Sequence, residues 1–311
     1  MADHTEAGAG TALELVIVTY FSRDLVADLL ASLPQDVPVV IADNSQGADG
    51  VADLVVDRPH GRYLTGAGQG FAKAANLAAR TSTRPYLVFV NPDTRPAYEQ
   101  LTTLVEDLVE DPTLGAVAAT TVAPDGRVEL GVGGWEPTVA RALVYSSGLH
   151  SRLPRAGLYA RPEPFEPIDL DWLTGACMAV PRDRFLSLGG FDESFFLYNE
   201  DMAYGRRLRE AGLRQRLRTD VLIPHAGAGS GGSKEAMLQM RGSSMVTYLR
   251  RHNSPVTLAA MRLTLSAGAL GRTLVSLLRS HKDAARGFVA YNRGLWRGAP
   301  DMGQDMPPTD P

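Results

Sequence analysis

Residues 13–45, LELVIVTYFSRDLVADLLASLPQDVPVVIADNS, hold two short apolar runs with one amphipathic segment between them. Leu13 to Thr19 is rich in β-branched residues and has the length of a buried strand. Leu25 to Leu33 spaces its apolar residues as a helix does, and Val37 to Ala42 repeats the strand pattern. A strand, a helix and a strand at this spacing make a parallel pair, and the groups that meet a ligand in such sheets gather at the carboxyl ends of the strands. Here those ends carry Thr19 and Tyr20, then Asp43, Asn44 and Ser45.

The alternation continues outward. Val55 and Val56 read as a third short strand, residues 69–80 as a helix, and Tyr86 to Val90 as a fourth strand closed by Asn91, Pro92 and Asp93. An Asp after a strand also caps turns and an Asn-Pro pair also stops strands, so either cluster alone reads equally well as structural. Residues 97–110 suit a helix and Gly115 to Thr120 a strand. The stretch from Pro124 to Pro167 is rich in Gly and Pro and reads as loops and short sheet segments in an acceptor-side insertion. Apolar sequence returns at Asp169 to Val180, and Pro181 opens a short helix ending near Gly189. Phe191 to Tyr198 is dense in aromatics and leads into Asn199, Glu200 and Asp201 at the start of another helix, where unpaired backbone N–H groups favour negative charge. Arg214 to Ile223 reads as a strand ended by Pro224 and His225.

The glycine-rich run 226–232 has neither the Lys of a phosphate-binding loop nor the spacing of a dinucleotide fingerprint, and reads as a mobile loop that either closes over donor phosphates or only joins two elements. Residues 234–251 and 257–281 are helical in pattern. Leu263, Leu270, Leu274 and Leu277 share one face, expected to be buried in the core or against a neighbouring domain.

A chain of 311 residues with 44% hydrophobic composition can bury a sizeable core without covalent staples. Its one cysteine, Cys177, lies in the apolar run ACMAV and reads as a buried structural thiol. The first ten residues lack the pattern of a secretory signal, which points to a cytoplasmic protein. The net charge is only −4, yet residues 241–297 carry ten Lys or Arg against one acid, Asp283. That stretch suits either a solvated helical face or contact with an anionic membrane on its cytoplasmic side. No recognition helix, zinc-ligand pattern or interleaved aromatics accompany the charge, so nucleic acid is not an expected partner. Homo-oligomerisation is left open.

The ordered set LVIVTY, VVIADNS, GQGFAKAAN, YLVFVNPDT, DWLTGACMAVPRDRFLSLGGFDESFFLYNED and VLIPH resembles the inverting glycosyltransferase family 2, in particular its bacterial rhamnosyltransferase-like members, over residues 13–251. The resemblance implies an α/β fold of the GT-A nucleotide-diphospho-sugar transferase type, with a mixed central sheet and C-terminal helices. It divides the chain into a catalytic domain at 11–251, with a donor half at 11–120 and an acceptor half at 121–251. A basic helical appendage at 252–298 and a disordered tail at 299–311 follow. It further implies a nucleotide-sugar donor, dTDP-rhamnose or a UDP-sugar, and a glycan or lipid-linked sugar as acceptor.

By the same resemblance Thr19, Tyr20, Asp43 and Asn44 hold the nucleotide, with Asp43 accepting a hydrogen bond from the base and Tyr20 forming a flat wall. Lys73 is a candidate phosphate contact, with an exposed helical lysine as the plain alternative. Asn91 and Asp93 match the family's Asp-x-Asp variant. Asp93 and His225 are then candidate ligands of Mg2+ or Mn2+. Asp201 matches the general base that takes the acceptor proton, with Glu200 as the alternative. Trp172, Thr174 and Gly175 match the approach to the acceptor side, and Trp172 reads equally as a sugar platform or a core aromatic. Relatives continue VTY with Asn, where this chain has Phe21. The readings set against transfer are a sugar nucleotidyltransferase and a catalytically weak carbohydrate- or membrane-binding protein.

Overall fold

The computed structural model describes residues 12–66, 68–161, 166–227 and 233–300. Most of the glycine-rich run, and all of the tail beyond residue 300, lie outside the described residues.

The strands are β1 (Leu13–Thr19), β2 (Val39–Asp43), β3 (Gly61–Thr65), β4 (Tyr86–Val90), β5 (Leu114–Val122), β6 (Gly133–Gly134), β7 (Ile168–Asp169), β8 (Trp172–Leu173), β9 (Cys177–Pro181) and β10 (Arg214–Pro224). The helices are α1 (Arg23–Ala31), α2 (Phe71–Thr81), α3 (Tyr98–Glu110), α4 (Val139–Ser146), α5 (Arg182–Ser187), α6 (Glu200–Glu210), α7 (Lys234–His252), α8 (Pro255–Leu278) and α9 (Lys282–Arg297).

The chain falls into two compact units. The first draws on Met1–Gly133, Pro162–Phe196 and Asp201–Ser230, the second on Gly134–Arg161, Leu197–Glu200 and Gly231–Pro311.

The first unit is built on an eight-stranded sheet in the order β3-β2-β1-β4-β9-β5-β10-β7. β1 runs parallel to β2 and β4, and β10 parallel to β5, while β9 is antiparallel to both β4 and β5. Two antiparallel steps restore direction, so β5 and β10 point the same way as β1 to β4. The carboxyl ends of all these strands and the amino end of β9 therefore share one edge, where Thr19 pairs with Asp43, Asp43 with Thr65 and Val90 with Cys177. β1, β2 and β4 are buried along nearly their whole length and are apolar but for Glu14, Thr19 and Asp43, as expected of strands covered on both faces. Leu15, Ile17, Val39, Ile41, Val88 and Val117 are among its fully buried residues. Cys177 is buried in this sheet, and burial pushes its thiol up to about 12, which leaves it inert.

One sequence expectation fails here. Val55 and Val56 are not a strand: Val51–Val55 forms a 3₁₀ helix, Val56 is 75% exposed, and the third strand lies at Gly61–Thr65. Two adjacent β-branched residues are too short a run to separate a strand from a turn of helix.

The second unit is helical, with α7, α8 and α9 packed together and α4 against α8. Gly242 of α7 and Gly294 of α9 let two backbones meet, since a Cβ on Gly294 would lie 1.9 Å from the Gln239 carbonyl oxygen. The four leucines expected in a core are exposed instead: Leu263 at 61%, Leu270 at 55%, Leu274 at 59% and Leu277 at 54%. The helical period identified which residues share a face; the covered face is the opposite one, with Met261, Leu265, Gly268 and Ala269.

Candidate active site

At the carboxyl edge of β2, Asp43 is fully buried and already engaged. Its Oδ1 accepts the Ser45 N–H at 2.7 Å, and its Oδ2 accepts the Gly47 N–H at 2.8 Å and the Tyr63 hydroxyl at 2.9 Å. A carboxylate offers about four acceptor positions, so roughly one is left for a ligand. Burial, followed by the bond to Asp43 and its charge, raises the Tyr63 phenol above its ordinary range. Thr19 Oγ1 lies 2.8 Å from Ser22 Oγ, and the Tyr20 hydroxyl is buried with no hydrogen-bond partner among the described residues. Phe21 has φ 47, a left-handed conformation that Asn adopts more easily than Phe, and its ring meets Tyr20 edge-on at 4.7 Å. Asn44 Nδ2 donates to the Gly70 carbonyl at 3.2 Å, tying this edge to the turn that starts α2. Gly70 needs its φ of 93, and a Cβ there would sit 2.3 Å from the Phe196 carbonyl oxygen. One turn into α2, Lys73 Nζ lies 2.5 Å from Gln69 Oε1 at the surface.

The carboxyl ends of β4, β5 and β10 bring a second group together. His225 Nε2 lies 3.2 Å from Asp93 Oδ1, and its Nδ1 lies 2.6 Å from Glu129 Oε2. The backbone fixes this pairing, because His225 N–H donates to Val122, Ala226 N–H to Asp93, and Thr94 bridges His225. Thr121 Oγ1 donates to the same Glu129 oxygen at 2.8 Å. Burial pulls the imidazole pKa down, but the hydrogen bond and charge of Asp93, then those of Glu129, outweigh it and raise the value to about 8. Asn91 sits where β4 ends, its N–H on the Ala176 carbonyl and its own carbonyl accepting from Thr94.

Thr174 Oγ1 accepts the Ala176 N–H at 3.4 Å, and Gly175 leaves room for the Phe71 ring, 3.7 Å from where its Cβ would be. Trp172 is 4% exposed, so its ring is part of a closed wall. Tyr198 and Asn199 both have φ 68 and turn the chain sharply into α6. Two consecutive left-handed residues other than Gly cost about 1–2 kcal/mol each and persist only where the surroundings enforce them. They set the direction in which the helix begins with Glu200 and Asp201. Asp201 Oδ1 accepts the Met202 N–H at 2.7 Å.

The model of the glycosyl transferase family 2 matches residues 14–156. The N-acetylglucosaminyl-diphospho-decaprenol L-rhamnosyltransferase of Mycobacterium tuberculosis is 30% identical over 296 residues, covering 86% of this chain and 92% of the relative. The chain belongs to glycosyltransferase family 2. The rhamnosyltransferase WbbL of Escherichia coli K12 is 24% identical over 64% of this chain and 78% of its own. Among solved structures, a mannosyltransferase of Pyrobaculum calidifontis in complex with GDP-Man and Mn2+ shares the fold with a TM-score of 0.56 at 19% identity, covering 92% of this chain and 87% of that one.

In this glycosyltransferase Asp93 and His225 lie side by side, joined by Glu129, which the sequence did not single out. Whether the pair suits a divalent ion can be tested on its geometry. Two bonds of about 2.1 Å at right angles place their donor atoms about 3 Å apart, close to the Asp93–His225 separation. The bond from Glu129 to the far ring nitrogen is the usual support for a metal-bound imidazole. Among the described residues no group of three or more His, Cys, Asp or Glu is arranged to hold a metal. The Asp93–His225 separation is thus compatible with two ligands of one divalent ion.

Proposed function

We propose that this glycosyltransferase transfers rhamnose from dTDP-rhamnose, with inversion, to a hydroxyl of a glycan or lipid-linked acceptor at the anionic cytoplasmic face of a membrane. UDP-hexoses are the second class of donor. The observation that carries the reading is the Asp93–His225–Glu129 chain at the carboxyl edge of the sheet, in a protein whose relatives include rhamnosyltransferases.

In this reading Tyr20, Asp43 and Asn44 hold the base and ribose, Lys73 and Asn91 approach the diphosphate, and Trp172, Thr174 and Gly175 form the acceptor-side wall. Asp93 and His225 hold Mg2+ or Mn2+, whose charge opposes that developing on the leaving diphosphate; the nitrogen ligand favours Mn2+. Asp201 takes the proton from the acceptor hydroxyl as its oxygen bonds to the anomeric carbon. The bond from that carbon to the diphosphate oxygen breaks on the opposite face, and the nucleoside diphosphate leaves with the electron pair. No covalent enzyme intermediate is needed. Glu200 is the alternative base.

The test is a donor screen by mass spectrometry with purified protein, Mg2+ or Mn2+, dTDP-rhamnose or UDP-sugars, and simple and lipid-linked acceptors. A product one sugar heavier, nucleoside diphosphate release, and a loss of about 10²- to 10⁴-fold in kcat for Asp201→Asn are expected. Pyrophosphate release from a sugar phosphate and a nucleoside triphosphate would overturn transfer in favour of nucleotidyl chemistry. Retention at the anomeric centre, read by NMR, would overturn inversion.

A further inference from the structure

The 24-residue helix α8 turns an uninterrupted apolar stripe to solvent. Its exposed residues include Val256, Leu263, Leu270, Leu274, Leu277 and Leu278, and no exposed residue between Pro255 and Leu278 is charged or has a hydrogen-bonding side chain. The stripe spans about 33 Å at the helical rise. The helix does contain two arginines, but both are held by neighbours. Arg262 donates to the Leu295 carbonyl and lies over the Trp296 ring at 4.4 Å, while Arg272 donates to the Tyr145 carbonyl and lies over that ring at 4.3 Å. An apolar face of this length facing water marks a surface that binds something.

Charge decides what. The helix α9, packed against α8, exposes Lys282, Arg286, Arg293 and Arg297, and its one acid, Asp283, is paired with Arg286 at 3.4 Å. Among these cations stand Val289 and Trp296, 43% and 49% exposed. Arg250 and Arg251 add two exposed charges at the end of α7. Joining two such faces in a dimer would gather like charges around the contact, whereas an anionic lipid surface neutralises them and accepts the leucines below its headgroups. None of the described helices is long and apolar enough to cross a membrane.

We infer that α8 lies in the headgroup layer of an anionic bilayer, its leucine stripe buried and the cations of α9 held at the phosphates with Trp296 at the interface. This deepens the membrane-side reading of the acceptor. It is read on vesicles without donor or acceptor, so its failure is distinguishable from failure of the proposed activity.

The experiment is cosedimentation of the full chain with phosphatidylcholine vesicles, with and without roughly 30 mol % phosphatidylglycerol. Two variants are compared, Leu263→Gln/Leu270→Gln/Leu274→Gln and Lys282→Gln/Arg286→Gln/Arg293→Gln, all at exposed positions. The wild type is expected to bind the anionic vesicles, with a blue shift of tryptophan emission. The leucine variant should lose about tenfold or more in partitioning at low and high salt, with unchanged circular dichroism. The charge variant should lose binding most at low salt, where the attraction of the cations to the anionic headgroups is least screened. Wild type that ignores anionic vesicles, or a leucine variant that binds as well as wild type, overturns the inference. A lipid-free wild-type dimer that the leucine changes turn into a monomer assigns the stripe to a second copy and also overturns it.

Discussion

His225 keeps its proton past neutrality because it stands between two carboxylates, and the consequence is a stability that depends on pH. Its folded pKa of about 8 lies above the ordinary 6.5, so the folded chain holds the proton more tightly than the unfolded one. The stabilisation is complete below about pH 6.5 and is lost as the pH rises through about 8; it amounts to about 2 kcal/mol. Urea denaturation of chelator-treated protein at about pH 6 and pH 9 should give the higher midpoint at the lower pH, and His225→Gln should remove most of the difference. Equal responses of wild type and variant would mean that the ring is not charged in the fold. Glu129→Gln tests the support on the far nitrogen: Mn2+ affinity, measured by calorimetry with nucleoside diphosphate present, should fall by about tenfold or more. Asp93 and His225 were singled out through the family resemblance, each placed shortly after a strand end. Glu129 was not, being 96 residues from His225 in a stretch without periodicity. Only the turn that pairs Val122 with Val128 folds it back beside β5, and only the pairing of β5 with β10 brings His225 to it.

Elements were legible where burial leaves one choice. β1, β2 and β4 read directly as strands because a run of β-branched residues buried on both faces has no amphipathic alternative at that length. The helical faces of the second unit were harder, since a 3.6-residue period fixes which side chains align but not which side meets a neighbour. In α8 the exposed leucines are larger than the buried Gly268 and Ala269, so size misleads: close packing of backbones selects small residues for the covered face. The same rule holds where α7 meets α9. A Cβ on Gly242 would lie 2.3 Å from the Tyr291 carbonyl oxygen, and backbone cannot move aside as a flexible side chain can. Gly242→Ala and Gly294→Ala should each destabilise the protein by about 1–3 kcal/mol, seen as a lower Tm. Gly271→Ala is the control, because nothing lies within 4 Å of its added carbon. There the helix should gain up to about 1 kcal/mol. A Gly294→Ala protein as stable as wild type would mean that the two helices separate freely.

At the scale of the whole molecule, the chain passes between its two units after residues 133, 161, 196, 200 and 230, so neither unit is one continuous segment. The family resemblance suggests a cut at residue 251, whereas α7 falls in the same compact unit as α8 and α9. Met240, Met245, Tyr248 and Leu249 of α7 are all at or below 5% exposure. Tyr248 also donates to Glu136, and Ser244 to the Leu197 carbonyl. Removing α8 and α9 would uncover part of this apolar surface while the segments 134–161 and 197–200 stay attached to the rest of the chain. A protein ending at residue 251 should therefore be largely insoluble, or be cleaved within residues 234–251 faster than the full chain in limited proteolysis. A soluble 1–251 fragment with unchanged nucleotide binding would show that α7 stands without its neighbours. If the fragment fails as expected, the helices after residue 251 are structural as well as exposed, and their surface chemistry has to be probed by substitution at solvent-facing positions in the intact chain.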